Sequence, residues 1–106
     1  INREEVFGPV ASVIRVKDYE EALIVANDTA FGLSSGICTT SLKHATHYKR
    51  NAQAGMVMVN LPTAGVDYHV PFGGRKASSF GLREQGTYAK EFYTQIKTSY
   101  INSGSI

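Results

Sequence analysis

The run from Val10 to Val16 is apolar and β-branched, and it stays apolar at the consecutive positions Val13 and Ile14. A strand covered on both faces has this pattern, so the first expected element is a buried parallel strand. Asp18 then offers a side-chain N-cap with Glu21 three residues on. Tyr19, Ala22, Leu23, Ala26 and Ala30 recur at helical spacing until Gly32 supplies a left-handed stop. Ser35 to Thr40 is a shorter strand candidate, interrupted by Gly36. Ser41 can cap a second helix with the apolar stripe Leu42, Ala45, Tyr48 and Ala52, and Gly55 is expected to close it. Met56-Val57-Met58-Val59-Asn60 follows as a compact apolar strand.

This strand-helix-strand-helix-strand order, with short connections, predicts an α/β fold: a βαβαβ segment of parallel strands joined by right-handed crossovers. From Leu61 to Ser78 the periodicity stops, and a loop that long inside a compact fold is expected to be functional. Helical spacing returns from Arg83 to Tyr93, with Tyr88, Ala89 and Phe92 on one side. Gln95 to Ile101 reads as a final strand, and residues 102–106 as a frayed tail. The expected division is a main unit over residues 1–94 and a terminal strand with tail over 95–106.

Composition narrows the classes. The 106 residues carry 11 basic and 9 acidic side chains, a formal charge of +2 with no basic stripe, so nucleic acid is not an expected partner. No apolar run approaches the ~20 residues a membrane helix needs, and no signal-peptide pattern opens the chain. The single cysteine, Cys38, cannot form an internal disulfide, which agrees with a reducing, cytoplasmic setting. The chain opens on Ile1 rather than Met, and a piece of a longer polypeptide is the expectation.

Glu5 precedes Phe7-Gly8-Pro9 at the start of the first expected strand. Its carboxylate there is either an ordinary solvated acid or an acceptor for two vicinal hydroxyls, as on a ribose. Pro71-Phe72-Gly73-Gly74 is a rigid and then permissive turn that lets backbone approach a neighbour closely; a structural turn and a pocket wall fit it about equally. Asn60 falls at the carboxyl edge of a parallel strand, where open sheets bring ligands, but Asn is also a favoured turn residue. Arg83-Glu84 reads as a helix-start ion pair in preference to an anion clamp. Cys38 has no assignable activating base and reads as a small hydrophobe. His44 and His47 make two ligands where a closed zinc site wants four, so no metal is expected.

Taken together, Glu4-Glu5-Val6-Phe7-Gly8-Pro9-Val10, Pro71-Phe72-Gly73-Gly74-Arg75-Lys76 and Arg83-Glu84-Gln85-Gly86, in that order, resemble the C-terminal portion of an aldehyde dehydrogenase, from Glu4 to about Ile101. The resemblance implies that Glu5 holds the nicotinamide ribose of NAD or NADP and that Phe7 packs near the nicotinamide ring. It implies that Phe72, with Val66, Asp67, Tyr68 and His69 of the preceding loop, lines the aldehyde entrance. It places the nucleophilic cysteine, the general base, the oxyanion-stabilising Asn and the cofactor domain upstream, so Cys38 inherits no role and no catalytic residue is expected here. It makes 95–101 an oligomerisation strand of a homodimer or homotetramer. Within the family, the Leu61-Pro62-Thr63-Ala64-Gly65 loop and the Arg83-Glu84-Gln85-Gly86 run with Phe92-Tyr93-Thr94 resemble the bacterial branch that oxidises 2,5-dioxopentanoate to 2-oxoglutarate. The competing expectation is a non-enzymatic α/β module that associates through its last strand; a nucleotide-binding domain ranks behind it, since no phosphate-cradling Gly signature occurs.

Overall fold

Asp18 begins the first helix as its sequence demands: the cap residue is extended, with φ −155°, and its Oδ1 accepts the Glu21 N–H at 2.9 Å. Glu21 answers with its own carboxylate, which accepts the N–H of Lys17, one residue ahead of the cap, at 2.7 Å. Helix α1 covers Tyr19–Asn27, β1 Ser34–Ile37, α2 Leu42–Asn51, β2 Met56–Val59 and α3 Ala89–Tyr93, with 3-10 turns at Lys76–Ser78 and Gly86–Tyr88. The structure is a computed structural model that describes residue 1 and residues 3–104.

Strands β1 and β2 pair in parallel, with Ser34 opposite Met56 and Ile37 opposite Val59, and α2 is the crossover between them. Ser41 Oγ caps α2 by accepting the His44 N–H at 3.3 Å. Tyr48, Ala52, Ala54 and Met56 are the buried hydrophobic residues, and the Tyr48 hydroxyl hydrogen-bonds Ser35 Oγ on the facing strand. The core therefore lies between one helix and a two-stranded sheet. Leu42, expected on the buried stripe, is instead exposed at the start of α2.

The α/β class and the central βαβ unit match the pattern of the chain, whereas its outer elements differ. Residues 10–16 and 95–101 form no ladder among the described residues, and Val13 and Ile96 are 96% and 99% exposed. A strand requires a partner edge for its N–H and C=O groups, and these segments find none among the described residues. Helix α1 stops at Asn27, ahead of Gly32, and α2 at Asn51, where the Ala52 N–H still bonds the Tyr48 carbonyl at 2.8 Å. The helix expected from Arg83 is confined to Ala89–Tyr93 and the 3-10 turn before it, because Gln85 and Gly86 both adopt positive φ, 67° and 57°. Of the expected frayed tail, residues 105–106 lie outside the described residues.

Three long-range polar clamps hold the frame. Asn27, the last residue of α1, donates to the Asn51 carbonyl at 3.0 Å and accepts the Gln53 N–H at 2.8 Å, tying the ends of both helices together. Lys76 donates to the carbonyls of Asn27 (2.7 Å) and Thr29 (3.0 Å), a cation at the C-terminus of a helix with no basic residue in its own last turn. Tyr19 on α1 stacks on His44 of α2, centroids 4.3 Å apart, and bonds His47 Nδ1 at 2.8 Å. Desolvation, then the charge of Glu20 and the neighbouring Tyr48, holds the Tyr19 phenol above its ordinary pKa.

Candidate functional site

The motif Pro71 to Lys76 crosses the βαβ unit where its two strands begin. The Gly32 carbonyl accepts two N–H groups, from Gly55 at 2.9 Å and from Arg75 at 2.8 Å. The Gly32 N–H donates to Ser78 Oγ at 2.8 Å, and Gly74 N–H to Ser79 Oγ at 2.7 Å. A Cβ on Gly55 would lie 1.9 Å from the Gly73 oxygen, and one on Gly32 would lie 2.5 Å from the Gln53 oxygen. The close backbone approach expected of this turn is thus directed at the strand starts, and it seats Phe72 beside them.

Phe72 also forms an isolated antiparallel bridge with Glu84, whose two N–H···O bonds are 2.7 and 2.9 Å long. Arg83-Glu84 is therefore not the start of a helix: its backbone closes the long loop, and the Arg83 side chain packs across Gly73. Gly86 completes the closure. Its N–H bonds the Tyr68 carbonyl at 3.3 Å, and a Cβ there would meet the His69 oxygen at 2.4 Å. Together these contacts set the 66–72 stretch against 84–86.

The sequence-derived residues occupy three concavities. Glu5 lines an open one of about 310 Å³ with Asn27, Ser34, Ser35, Gln53 and Ser78 among its other walls. Phe72 lines a second with Leu33, Phe80, Leu82 and Phe92. Val66 lines a third with Asp67, Val70, Met58 and Leu61. Phe7 is 94% exposed and lines none of the three. Tyr68 is 84% exposed, its ring edge-on to His69 at 5.5 Å. None of these three concavities holds Glu5 together with Phe72, Val66 or Tyr68.

Among the described residues the Glu5 carboxylate has no hydrogen-bond or ion-pair partner and the Phe7 ring has no aromatic partner. A free carboxylate is an acceptor that two vicinal hydroxyls could donate to.

Asn60 does the opposite of waiting for a ligand. At φ 55° it accepts the Thr39 N–H at 2.8 Å and donates to the Thr39 carbonyl at 2.9 Å, so its amide is consumed in joining the two strand ends. Asn60→Ala is expected to cost about 2 kcal/mol, from two lost hydrogen bonds and a poorer residue at positive φ. Asn60→Gly should cost roughly half, since glycine accepts the backbone conformation. Chemical denaturation of the two variants separates these contributions, and equal midpoints would refute the argument.

Cys38 is exposed just beyond β1, not buried as expected. His44 and His47 are engaged by Tyr19, and no group of three or more metal-ligating side chains occurs among the described residues. Asn27 and Lys76 were not legible as structural residues; the only local hint is the absence of a basic residue at the end of α1.

The sequence profile of the aldehyde dehydrogenase family matches residues 1–99. The α-ketoglutaric semialdehyde dehydrogenase of Bacillus subtilis is 46% identical over 101 residues, covering 95% of this chain and 21% of the relative. The aminoacetaldehyde dehydrogenase of Pseudomonas aeruginosa is 45% identical, covering 95% and 20%. The indole-3-acetaldehyde dehydrogenase of P. syringae, solved in complex with NAD+ and IAA, superimposes with a TM-score of 0.83 at 40% identity, over 93% of this chain and 20% of that one. An NAD-dependent aldehyde dehydrogenase from Sinorhizobium meliloti gives 0.84 at 38% identity, over 99% and 20%. The chain thus spans about a fifth of the length of the relatives it matches. A family match over residues 1–99, with relatives more than 40% identical over nearly the whole chain, makes this chain a member of the aldehyde dehydrogenase family.

Proposed function

We propose that this chain is the part of an NAD(P)-dependent aldehyde dehydrogenase that holds the nicotinamide ribose and lines the aldehyde entrance. Glu5 accepts hydrogen bonds from the ribose hydroxyls, and Phe7 lies against the nicotinamide ring. Phe72, Val66 and Tyr68 face the aldehyde. The observation that supports this reading is the unengaged Glu5 carboxylate at a concavity, two residues from the exposed Phe7 ring, inside a family match that runs through both.

NAD or NADP, when bound, supplies the hydride acceptor. The residues of this chain contribute position: a carboxylate that fixes the sugar fixes the ring attached to it, and with it the distance over which hydride moves. The loop walls limit which aldehyde enters and keep water from the reacting carbon. Substrate choice is proposed as 2,5-dioxopentanoate, oxidised to 2-oxoglutarate, because the 61–65 loop and Phe92-Tyr93-Thr94 follow that branch and because two α-ketoglutarate semialdehyde dehydrogenases are 46% and 48% identical to the chain. The proposed assembly is a cytoplasmic homodimer or homotetramer that pairs through residues 95–101. A non-enzymatic module associating through the same strand is the second reading, favoured by the exposure of Ile96, Tyr100 and Ile101.

The nucleophile and general base belong, on the family pattern, to other residues of the enzyme. Purified alone, the 106-residue chain is expected to show no aldehyde-dependent reduction of NAD or NADP at 340 nm. The polypeptide that contains both it and the catalytic cysteine should show it with 2,5-dioxopentanoate. Turnover by the isolated chain would overturn the division of labour, and an inactive complete polypeptide would favour the non-enzymatic reading.

A further inference from the structure

Asp28 is an acid at a place where a helix favours a base. It is the C-cap of α1, its N–H bonds the Val25 carbonyl at 3.2 Å, and the last turn of the helix holds no basic residue. A carboxylate there faces the negative end of the helix macrodipole. Two cations from elsewhere in the chain meet this end. Lys76 commits its ammonium to the Asn27 and Thr29 carbonyls. Arg3 goes to the acid itself: its Nε donates to Asp28 Oδ2 at 3.1 Å, and its Nη2 donates to the same oxygen. Among the described residues this is the only ion pair, and it joins positions 25 apart in sequence.

Both ends of the pair bear on the Glu5 concavity. Asp28 sits between Asn27 and Thr29, and both of these line that concavity together with Glu5. The corner is held from several sides, because Asn27 is bonded to the Asn51 carbonyl and the Gln53 N–H while Lys76 spans Asn27 and Thr29. Arg3 lies two residues before Glu5. Among the described residues no other hydrogen bond ties the 3–9 segment to the helices and strands. A segment with one polar tether takes its position from that tether.

We propose that Arg3 is a positioning residue: by pairing with Asp28 it pins the segment that carries Glu5 to the clamped end of α1, and so sets where the Glu5 carboxylate meets the nicotinamide ribose. This rests on the ribose role proposed for Glu5 and deepens it. Arg3 makes no contact with the cofactor and acts through Glu5. Two N–H groups on one oxygen fix the direction of the side chain as well as its end, which a lysine ammonium does not do. The side chains are 69% and 49% exposed, so water and salt screen the pair, and its effect is that of a surface ion pair.

The test is a set of single and double substitutions in the complete polypeptide that contains this chain, read by NAD(P) titration and steady-state kinetics. Arg3→Ala and Asp28→Ala are each expected to raise the NAD(P) dissociation constant about threefold, the size of effect an exposed pair gives. Both should lower kcat and leave the aldehyde KM unchanged. Arg3→Lys should fall between, and exchange of the charges, Arg3→Asp with Asp28→Arg, should recover most of the loss. The ratio of variant to wild-type constants should approach one at about 1 M salt, where the screening length is roughly 3 Å. In a Glu5→Gln background Arg3→Ala should add nothing, because the group it positions is already disabled. Wild-type constants for Arg3→Ala, no recovery on charge exchange, or an Arg3→Ala loss of equal size with and without Glu5→Gln would each overturn the proposal. If Glu5→Gln lowers kcat while Arg3→Ala changes nothing, the ribose role stands and the positioning role falls. If Glu5→Gln leaves every constant at its wild-type value, the ribose role falls and the positioning role falls with it.

Discussion

Glu5→Gln in the complete enzyme is expected to lower kcat on the order of 10²-fold, the cost of misplacing a reacting group by about 1 Å. The same variant should raise the NAD(P) dissociation constant. Glutamine preserves the size of the side chain and one acceptor oxygen, but the second acceptor becomes an NH₂ donor, so one of two vicinal hydroxyls loses its partner. The charge-assisted character of the remaining bond is lost as well. A sugar held at one point swings, and the ring it carries swings with it. The aldehyde KM should move little, because the loop residues 66–72 are untouched. Steady-state kinetics with both substrates, joined to a direct cofactor titration, separates the two effects. A solvated Glu with no ligand would give wild-type values for every constant, and that outcome would end the assignment.

The second large effect is structural. Gly55→Ala places a methyl 1.9 Å from the Gly73 oxygen and 2.7 Å from the Gly74 Cα. Both obstacles are backbone, so no rotamer change relieves the clash. The strand start and the Phe72 turn must separate, which strains the Gly55 and Arg75 N–H bonds to the Gly32 carbonyl. A loss of about 3 kcal/mol is expected, at the upper end for overpacking. Phe72 would move with its turn, so the aldehyde KM of the variant should change even though Gly55 touches no substrate. A denaturation midpoint equal to wild type would show that the crossing is looser than its geometry.

Local chemistry was readable, and pairing was readable only where both strands and their crossover lie in this chain. Asp18 and Ser41 cap the helices they were expected to cap, because an N-cap is settled by a side chain and an N–H two or three residues away. Ser34–Ile37 and Met56–Val59 pair as expected because α2 brings each to the other within this chain. The runs 10–16 and 95–101 have equally strong strand composition, yet composition records only a demand for a partner. The helix expected from Arg83 stops short at Gln85, whose φ is positive, just after Glu84 pairs with Phe72, a contact 12 residues distant in sequence. At the site, the permissive turn at Gly73-Gly74 was legible as one that approaches a neighbour, but not that the neighbours are Gly55 and Gly32. Lys76 reaches a helix end 49 residues away from a left-handed backbone position, and nothing near it in the sequence signals that reach.

The stretch from Leu61 to Asp67 is suspended between fixed points. Asn60 fastens one end to Thr39, and the Phe72–Glu84 bridge with the Gly86 contact fastens the other. Between them, among the described residues, the only backbone hydrogen bond that Leu61 to Asp67 accept is from Val70 N–H to the Asp67 carbonyl, within the loop itself. Lengthening such a span costs only the slowly growing entropy of closing it, about 0.6 kcal/mol for a doubling. It is a segment whose length can change while the sheet and helices on either side keep their register.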